Sequence, residues 1–212
     1  MTQTHYAQFG TFHITTNTKN GVPWLTLPEV PQILIDNLVM TKNLKKTKIF
    51  AFNILPTHMH IILSVMEKRL SEFMHSFKRN AMRDIRRACS NARSGRSLSS
   101  APTTSNIVEQ INARSGRSLS SAPTTSNIVE QINARSGRSL SSAPTTSEII
   151  DQIKWQKSFH DEHIQSPQQL ANAIRYVQYN AYNHQLVENP YDWDWSSLQF
   201  PNLIDEMDIW MD

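Results

Sequence analysis

A single cysteine, Cys89, in a chain of 212 residues leaves no partner for an internal disulfide. Such a fold must rest on its apolar core, and a lone thiol suits a reducing compartment, so a cytoplasmic protein is expected. Glycine is scarce as well: five residues, of which Gly95, Gly116 and Gly137 fall inside repeats. Neither GxxxxGK[ST] nor GxGxxG occurs, which excludes the two common glycine loops that cradle nucleotide phosphates. Any phosphate chemistry is therefore expected to run without ATP. No stretch approaches the roughly 20 apolar residues of a membrane helix, and the N-terminal MTQTHYAQFGTFHITTNTKNG has no apolar signal region. A membrane partner is not expected.

Hydrophobic residues make up 39% of the chain, enough for one domain with a real core. The net charge is only +3, so a nucleic-acid surface would have to be a local patch. The most conspicuous feature is a tandem repeat of period 21. NARSGRSLSSAPTTSNIVEQI fills 91–111 and recurs unchanged at 112–132, and a third copy at 133–153 ends in SEIIDQI. Identical copies point to duplication of DNA rather than to a solenoid, and the LxxLxL pattern of a leucine-rich repeat is absent. Ser, Thr and Pro dominate each unit, and only Ile107, Val108 and Ile111 could line a short helix in the first copy. The expected organisation is one domain built from 1–90 and 154–212, interrupted by a flexible or weakly helical insertion at 91–153.

Around the insertion the chain alternates strands and helices. Residues 10–18, 47–55 and 58–65 read as strands, with Pro56-Thr57 as a tight connection. Residues 27–43 and 70–88 read as helices; Leu70, Phe73, Met74, Phe77, Ala81 and Ile85 make the apolar stripe of the second. Residues 155–164 suit a fourth strand. A helix follows, with Ser166 as N-cap, Pro167 at the first position and Gln169 completing a capping box. Leu170, Ala173, Ile174, Val177 and Ala181 form its stripe. The order β-α-β-β-α-(insertion)-β-α predicts an α+β, ferredoxin-like antiparallel sheet, with helices on one face and a last long helix near the C-terminus.

The chemistry concentrates in LPTHMHIILSV, residues 55–65. In a strand Met59, Ile61, Leu63 and Val65 share one face, and His58 and His60 share the other. Two imidazoles at i and i+2 reach one cation, yet the spacing is short enough to arise by chance, so a ligand pair and a structural pair both stand. On the last helix Tyr176 and Asn180 lie four residues apart on one face, at the edge of the apolar stripe. Their bland reading is a rim aromatic and a solvated amide.

The chain resembles the HUH single-tyrosine transposases, in particular the REP-associated branch. The resemblance runs through FHITTNT, FNILPTHMHIILSV, LSEFMHSFKRNAMRDI, WQKSFHDEHI and YVQYNAYNHQLVENPYDWDWSS, roughly residues 8–90 and 154–200. It implies that His58 and His60 bind a divalent cation with Asn180 as third ligand, and that Tyr176 is the nucleophile. Ala181 stands where the family usually has proline, which bears on the local backbone. The resemblance further implies cleavage and rejoining of single-stranded, hairpin-bearing DNA through a 5′-phosphotyrosine. Lys78, Arg79 and Arg83 are then candidates for DNA contacts, with a solvated helix face as their plain alternative. Open positions for hard DNA oxygens favour Mg²⁺ or Mn²⁺, and imidazoles favour Mn²⁺ of the two. Relatives occur as monomers and as homodimers, and both stay open. Trp193 and Trp195 either stack on unpaired bases or anchor the C-terminal segment. His163, in the fourth strand, is the further histidine to watch. Two other readings remain: a catalytically inactive, domesticated protein that holds structured DNA, and a metal-dependent hydrolase of small phosphoesters.

Overall fold

The computed structural model describes residues 9–66, 69–93 and 152–207. The expected insertion helices lie outside these residues. Strand β1 spans Gly10–Asn17, helix α1 Val30–Lys45, β2 Lys48–Ile54, β3 His58–Val65 and α2 Leu70–Arg93. After the insertion come β4, His160–Ile164, helix α3, Pro167–Gln178, and the single turn α4, Asn180–Asn183. The sheet order is β2-β3-β1-β4, and every neighbouring pair is antiparallel. This is the α+β, ferredoxin-like sheet expected from the order of elements.

Period-two alternation sorts the sheet's side chains. Phe12 and Ile14 of β1 and Met59, Ile61, Leu63 and Val65 of β3 point to one face, where α1 and α2 bury them. The α2 stripe behaves as its spacing predicts: Phe73, Phe77, Ala81 and Ile85 are all fully buried. Each buried phenylalanine contributes about 1.5–3 kcal/mol of burial. On α1 the buried set is Val30, Leu34, Ile35 and Leu38; Ile33 and Val39 are only partly covered.

The expectation of helices on one face holds for α1 and α2. Helix α3 lies on the other face, where Leu170 and Val177 pack on Phe50, Ala51, Ile62 and Ile164. A bulge between Ile49 and Ala51 makes this possible. The extra residue lets Phe50 and Ala51, though consecutive, both serve the α3 side, while Ile49 and Phe52 serve the other. The α3 start follows its sequence signal: Ser166 Oγ accepts from Gln169 N at 3.2 Å. The return bond from Gln169 goes to Gln165 N rather than to the cap's own N–H.

Strand β4 is shorter than expected. Only 160–164 pair with β1, and Trp155 makes an isolated bridge to Thr18. Gln156 N still donates to Asn17 O at 2.9 Å, while Lys78 Nζ on α2 donates to the carbonyls of Gln156 at 2.8 Å and Ser158 at 3.2 Å. The chain boundaries of the insertion sit close to structure on both sides. Helix α2 continues three residues into the first repeat, and Ile153, the last residue of the third, is 5% exposed in the main core. Among the described residues no helix is long and apolar enough to cross a membrane.

Candidate active site and basic groove

Antiparallel register brings histidines together across two strands. Thr15 faces His60, Asn17 faces His58, and His13 faces Ile62, so His13 is the diagonal neighbour of His60 on the α3 face. The His58 and His60 rings stand edge-on with centroids 5.0 Å apart. His13 Nε2 lies 3.1 Å from His60 Nδ1, and Thr15 Oγ1 lies 3.0 Å from the same nitrogen. Thr57 Oγ1 is 3.1 Å from His58 Nδ1.

Helix α3 crosses above. The Tyr176 ring meets His60 and His13 edge-on, each at 5.7 Å between centroids, and remains 48% exposed. One turn on, Asn180 is 1% exposed, contrary to the solvated reading. His184, just past α4, packs edge-on against His58 at 5.2 Å. Of the neighbouring tyrosines, Tyr179 has Arg175 over its ring at 5.8 Å, and Tyr182 is half exposed.

Burial disfavours the charged form of His13, His58 and His60. It lowers His58 to about 4, with the His184 charge adding to the effect and Asn180 opposing it. His60 is pushed further down, by burial first and then by His58, His13 and His184. His13 is lowered by burial and by His160, against the pull of Glu162. A neutral imidazole offers a lone pair, the form a metal ligand needs. Asn180 Oδ1 is buried and meets no donor with hydrogen-bond geometry, so its influence on His58 is one of proximity. A buried carbonyl oxygen without a partner costs on the order of 1–3 kcal/mol. Two neutral imidazoles and an orphaned amide oxygen are a donor set that fits a divalent cation. Among the described residues no three of His, Cys, Asp or Glu are arranged to hold one, so any such site depends on the amide.

Sequence reasoning missed His13, Thr15 and His184. His13 carried no ligand spacing of its own; only the β1–β3 register reveals it. His163, by contrast, belongs to the opposite face. It pairs with Phe12 in register, packs on that ring at 5.1 Å, and occupies the space a Cβ at Gly10 would need, with Nε2 2.6 Å from it. Gly10 has φ of +115°, so glycine is required there on both counts.

A groove of about 1050 Å³ includes Asn17, the register partner of His58, and Thr57 among the residues that line it. Lys19, Lys78, Arg79, Arg86, Lys154 and Lys157 line it together with Trp155 and Phe159, and among the described residues no carboxylate does. Lys78 is partly committed already, to the two carbonyls and to the Trp155 ring at 5.5 Å, and burial lowers it to about 8. Arg79 is exposed and lines the groove. Arg83 is not among the lining residues and is neutralised by Asp84, with Nε donating to Oδ1 at 2.9 Å. Trp193 is an anchor: it is 1% exposed and its Nε1 donates to Ile54 O at 3.0 Å.

Comparison with solved structures identifies the architecture. A REP-associated tyrosine transposase bound to a REP hairpin superposes at a TM-score of 0.55, with 17% identity over 94% of this chain and 83% of its own. The chain has the fold of a tyrosine transposase. A second similar structure, a Deinococcus radiodurans R1 protein assigned as a transposase, is 18% identical. It covers 54% of this chain and 95% of its own at a TM-score of 0.36, too low to carry an argument. No protein-family model and no curated protein matches the chain.

Proposed function

We propose that the chain is a transposase-type DNA strand transferase that uses Tyr176 as nucleophile on single-stranded, hairpin-bearing DNA. The observation that carries this reading is the meeting of a half-exposed phenol with buried neutral imidazoles and an unpaired amide oxygen on one face of the sheet. The transposase of the same fold is bound to a REP hairpin, which supports DNA of that class as the partner here.

In the proposed step Tyr176 Oη attacks a backbone phosphorus, the bond from phosphorus to the 3′-oxygen breaks, and the phenolic proton passes to solvent. The departing 3′-oxygen takes up a proton. The products are a 5′-phosphotyrosine and a free 3′-hydroxyl, and a later 3′-hydroxyl reverses the reaction with no nucleotide consumed. A phenol with a pKa of about 10 is only about one part in a thousand ionised at pH 7, so charge stabilisation at the phosphate must supply much of the acceleration. His58, His60 and Asn180 would hold Mg²⁺ or Mn²⁺, which when bound supplies a Lewis acid for the phosphate oxygens. The residues of the chain do the rest. The sheet fixes both imidazoles, α3 fixes the phenol, and the groove of Lys19, Arg79, Arg86, Lys154 and Lys157 offers cations to the flanking phosphates.

The test uses a pool of single strands carrying a fixed hairpin and randomised flanks, labelled at the 3′ end, incubated with Mn²⁺. A labelled adduct that survives denaturation is expected with the wild type and is lost in Tyr176→Phe, while both proteins shift the pool on a native gel. An adduct formed equally by Tyr176→Phe ends the assignment of Tyr176. Binding without any adduct in the wild type favours an inactive structured-DNA-binding protein.

A further inference from the structure

His13 is used by nothing in the scheme above, yet it touches both halves of the site. Its side chain is 13% exposed, in the middle of the sheet. Its ring lies 5.2 Å from His60 and 5.7 Å from Tyr176. Its two nitrogens face different neighbours: Nε2 is 3.1 Å from His60 Nδ1, and Nδ1 is 3.9 Å from Glu162 Oε2. Proton placement then follows from the chemistry of each group. A carboxylate only accepts, so it favours the proton of His13 on Nδ1. His13 Nε2 is left as an acceptor, and it draws the proton of His60 onto Nδ1. The lone pair of His60 is then on Nε2. The 3.9 Å separation makes the Glu162 contribution an electrostatic bias rather than a hydrogen bond.

We propose that His13 is a positioning residue that holds His60 in the Nδ1–H tautomer, fixes its ring, and seats the edge of Tyr176 against it. This rests on the reading of His58, His60 and Asn180 as ligands. The arrangement Glu162–His13–His60 is a two-step version of the way an outer-shell acceptor orients a ligating imidazole, where loss of the outer partner costs about 10–100-fold in metal affinity. Thr15 Oγ1, 3.0 Å from the same His60 nitrogen, is the one other group placed for this task by the contacts described, and the test must separate the two.

The experiment uses the full chain in three forms: wild type, His13→Phe, which keeps a ring without an acceptor, and His13→Gln, which restores an acceptor oxygen. Mn²⁺ affinity is measured by calorimetry without DNA, and the His60 tautomer by ¹⁵N NMR of the metal-free protein. His13→Phe should bind Mn²⁺ about 10–100-fold more weakly, and His13→Gln should recover to within about threefold of the wild type. Wild-type His60 should show the Nδ1–H tautomer. Affinity of His13→Phe within about twofold of the wild type would assign the task to Thr15 and overturn the proposal. Equal weakness of His13→Phe and His13→Gln, or a wild-type Nε2–H tautomer, overturns it too. If the wild type binds no Mn²⁺, the ligand reading fails, while the tautomer still decides the role of His13. Should His13→Phe not fold, the wild-type spectrum and His13→Gln decide it.

Discussion

Burial of the histidine cluster should make the metal-free protein acid-sensitive in a defined window. An unfolded histidine titrates near 6.5, whereas burial and the His184 charge lower folded His58 to about 4. Because the unfolded state binds the proton more readily, His58 contributes stability that is fully present above pH 6.5. It is lost as pH falls from there towards 4. Evaluated at pH 5, the unfolded state gains about thirtyfold from protonation and the folded state almost nothing, a loss of about 2 kcal/mol relative to pH 8. For a domain of this size that is a drop in Tm of roughly 4–8 °C. His13 and His60, both lowered, act in the same direction. The assay is a thermal or urea melt in chelator at pH 8 and pH 5, for the wild type and His58→Gln. The variant has no titrating group at 58, so its loss between the two pH values should be smaller by about 2 kcal/mol. Carboxylates that titrate in this range are common to both proteins and cancel. Equal losses in the two proteins would refute the claim that burial holds this imidazole neutral.

The groove and the insertion yield two more outcomes. Arg79→Ala should weaken binding of the hairpin pool and reduce the slope of log affinity against log salt by about 1, while Arg83→Ala should leave the slope unchanged, as read by fluorescence anisotropy from 50 to 300 mM salt at about one phosphate contact per arginine. The reverse order would place the DNA on the outer side of α2 instead. Deleting 91–132 removes two repeat copies and still leaves Asn-Ala-Arg after Ser90 and the core residue Ile153 before Lys154. Tm should not fall and should rise by no more than about 4 °C, since a roughly threefold shorter connection saves only about 1 kcal/mol of chain-closure entropy; a fall on differential scanning calorimetry would mean that the lost copies pack on the domain.

Local pattern was readable where one element decides the outcome. The alternation in HMHIILSV placed His58 and His60 opposite Met59 and Ile61 because a strand has only two faces. The stripe of α2 and the Ser166 cap of α3 are also properties of single elements. What could not be read needed two elements at once. His13 joins His60 only through the β1–β3 register, and a one-residue slip would have sent it to the core. Phe50 serves the α3 face only because β2 bulges. In the half of β4 that does not form, the carbonyls of Gln156 and Ser158 meet Lys78 of α2, a contact between distant elements. Arg83 resembled its neighbours in the basic run, but adjacency to Asp84 and the turn of the helix take it out of the groove.

The same distinction answers the question raised by Ala181. Without the proline expected there, a continuous helix past Tyr176 would have been one reading of the backbone, and it would re-aim the phenol or Asn180. The structure breaks the helix anyway, with α3 ending at Gln178 and α4 beginning at Asn180. Tyr179 sits at the junction with φ of −90° and ψ of 3°. Asn53, fully buried on β2, donates from Nδ2 to Val177 O at 2.9 Å. That carbonyl is the one that the N–H of residue 181 would take in an unbroken helix, and the strand supplies a donor in its place. Asn53 is also the cross-strand partner of His60. One residue pair therefore ties the imidazole to the sheet and the sheet to the residue following Tyr176. A buried strand contact thus supports the backbone just after Tyr176 with alanine, not proline, at 181.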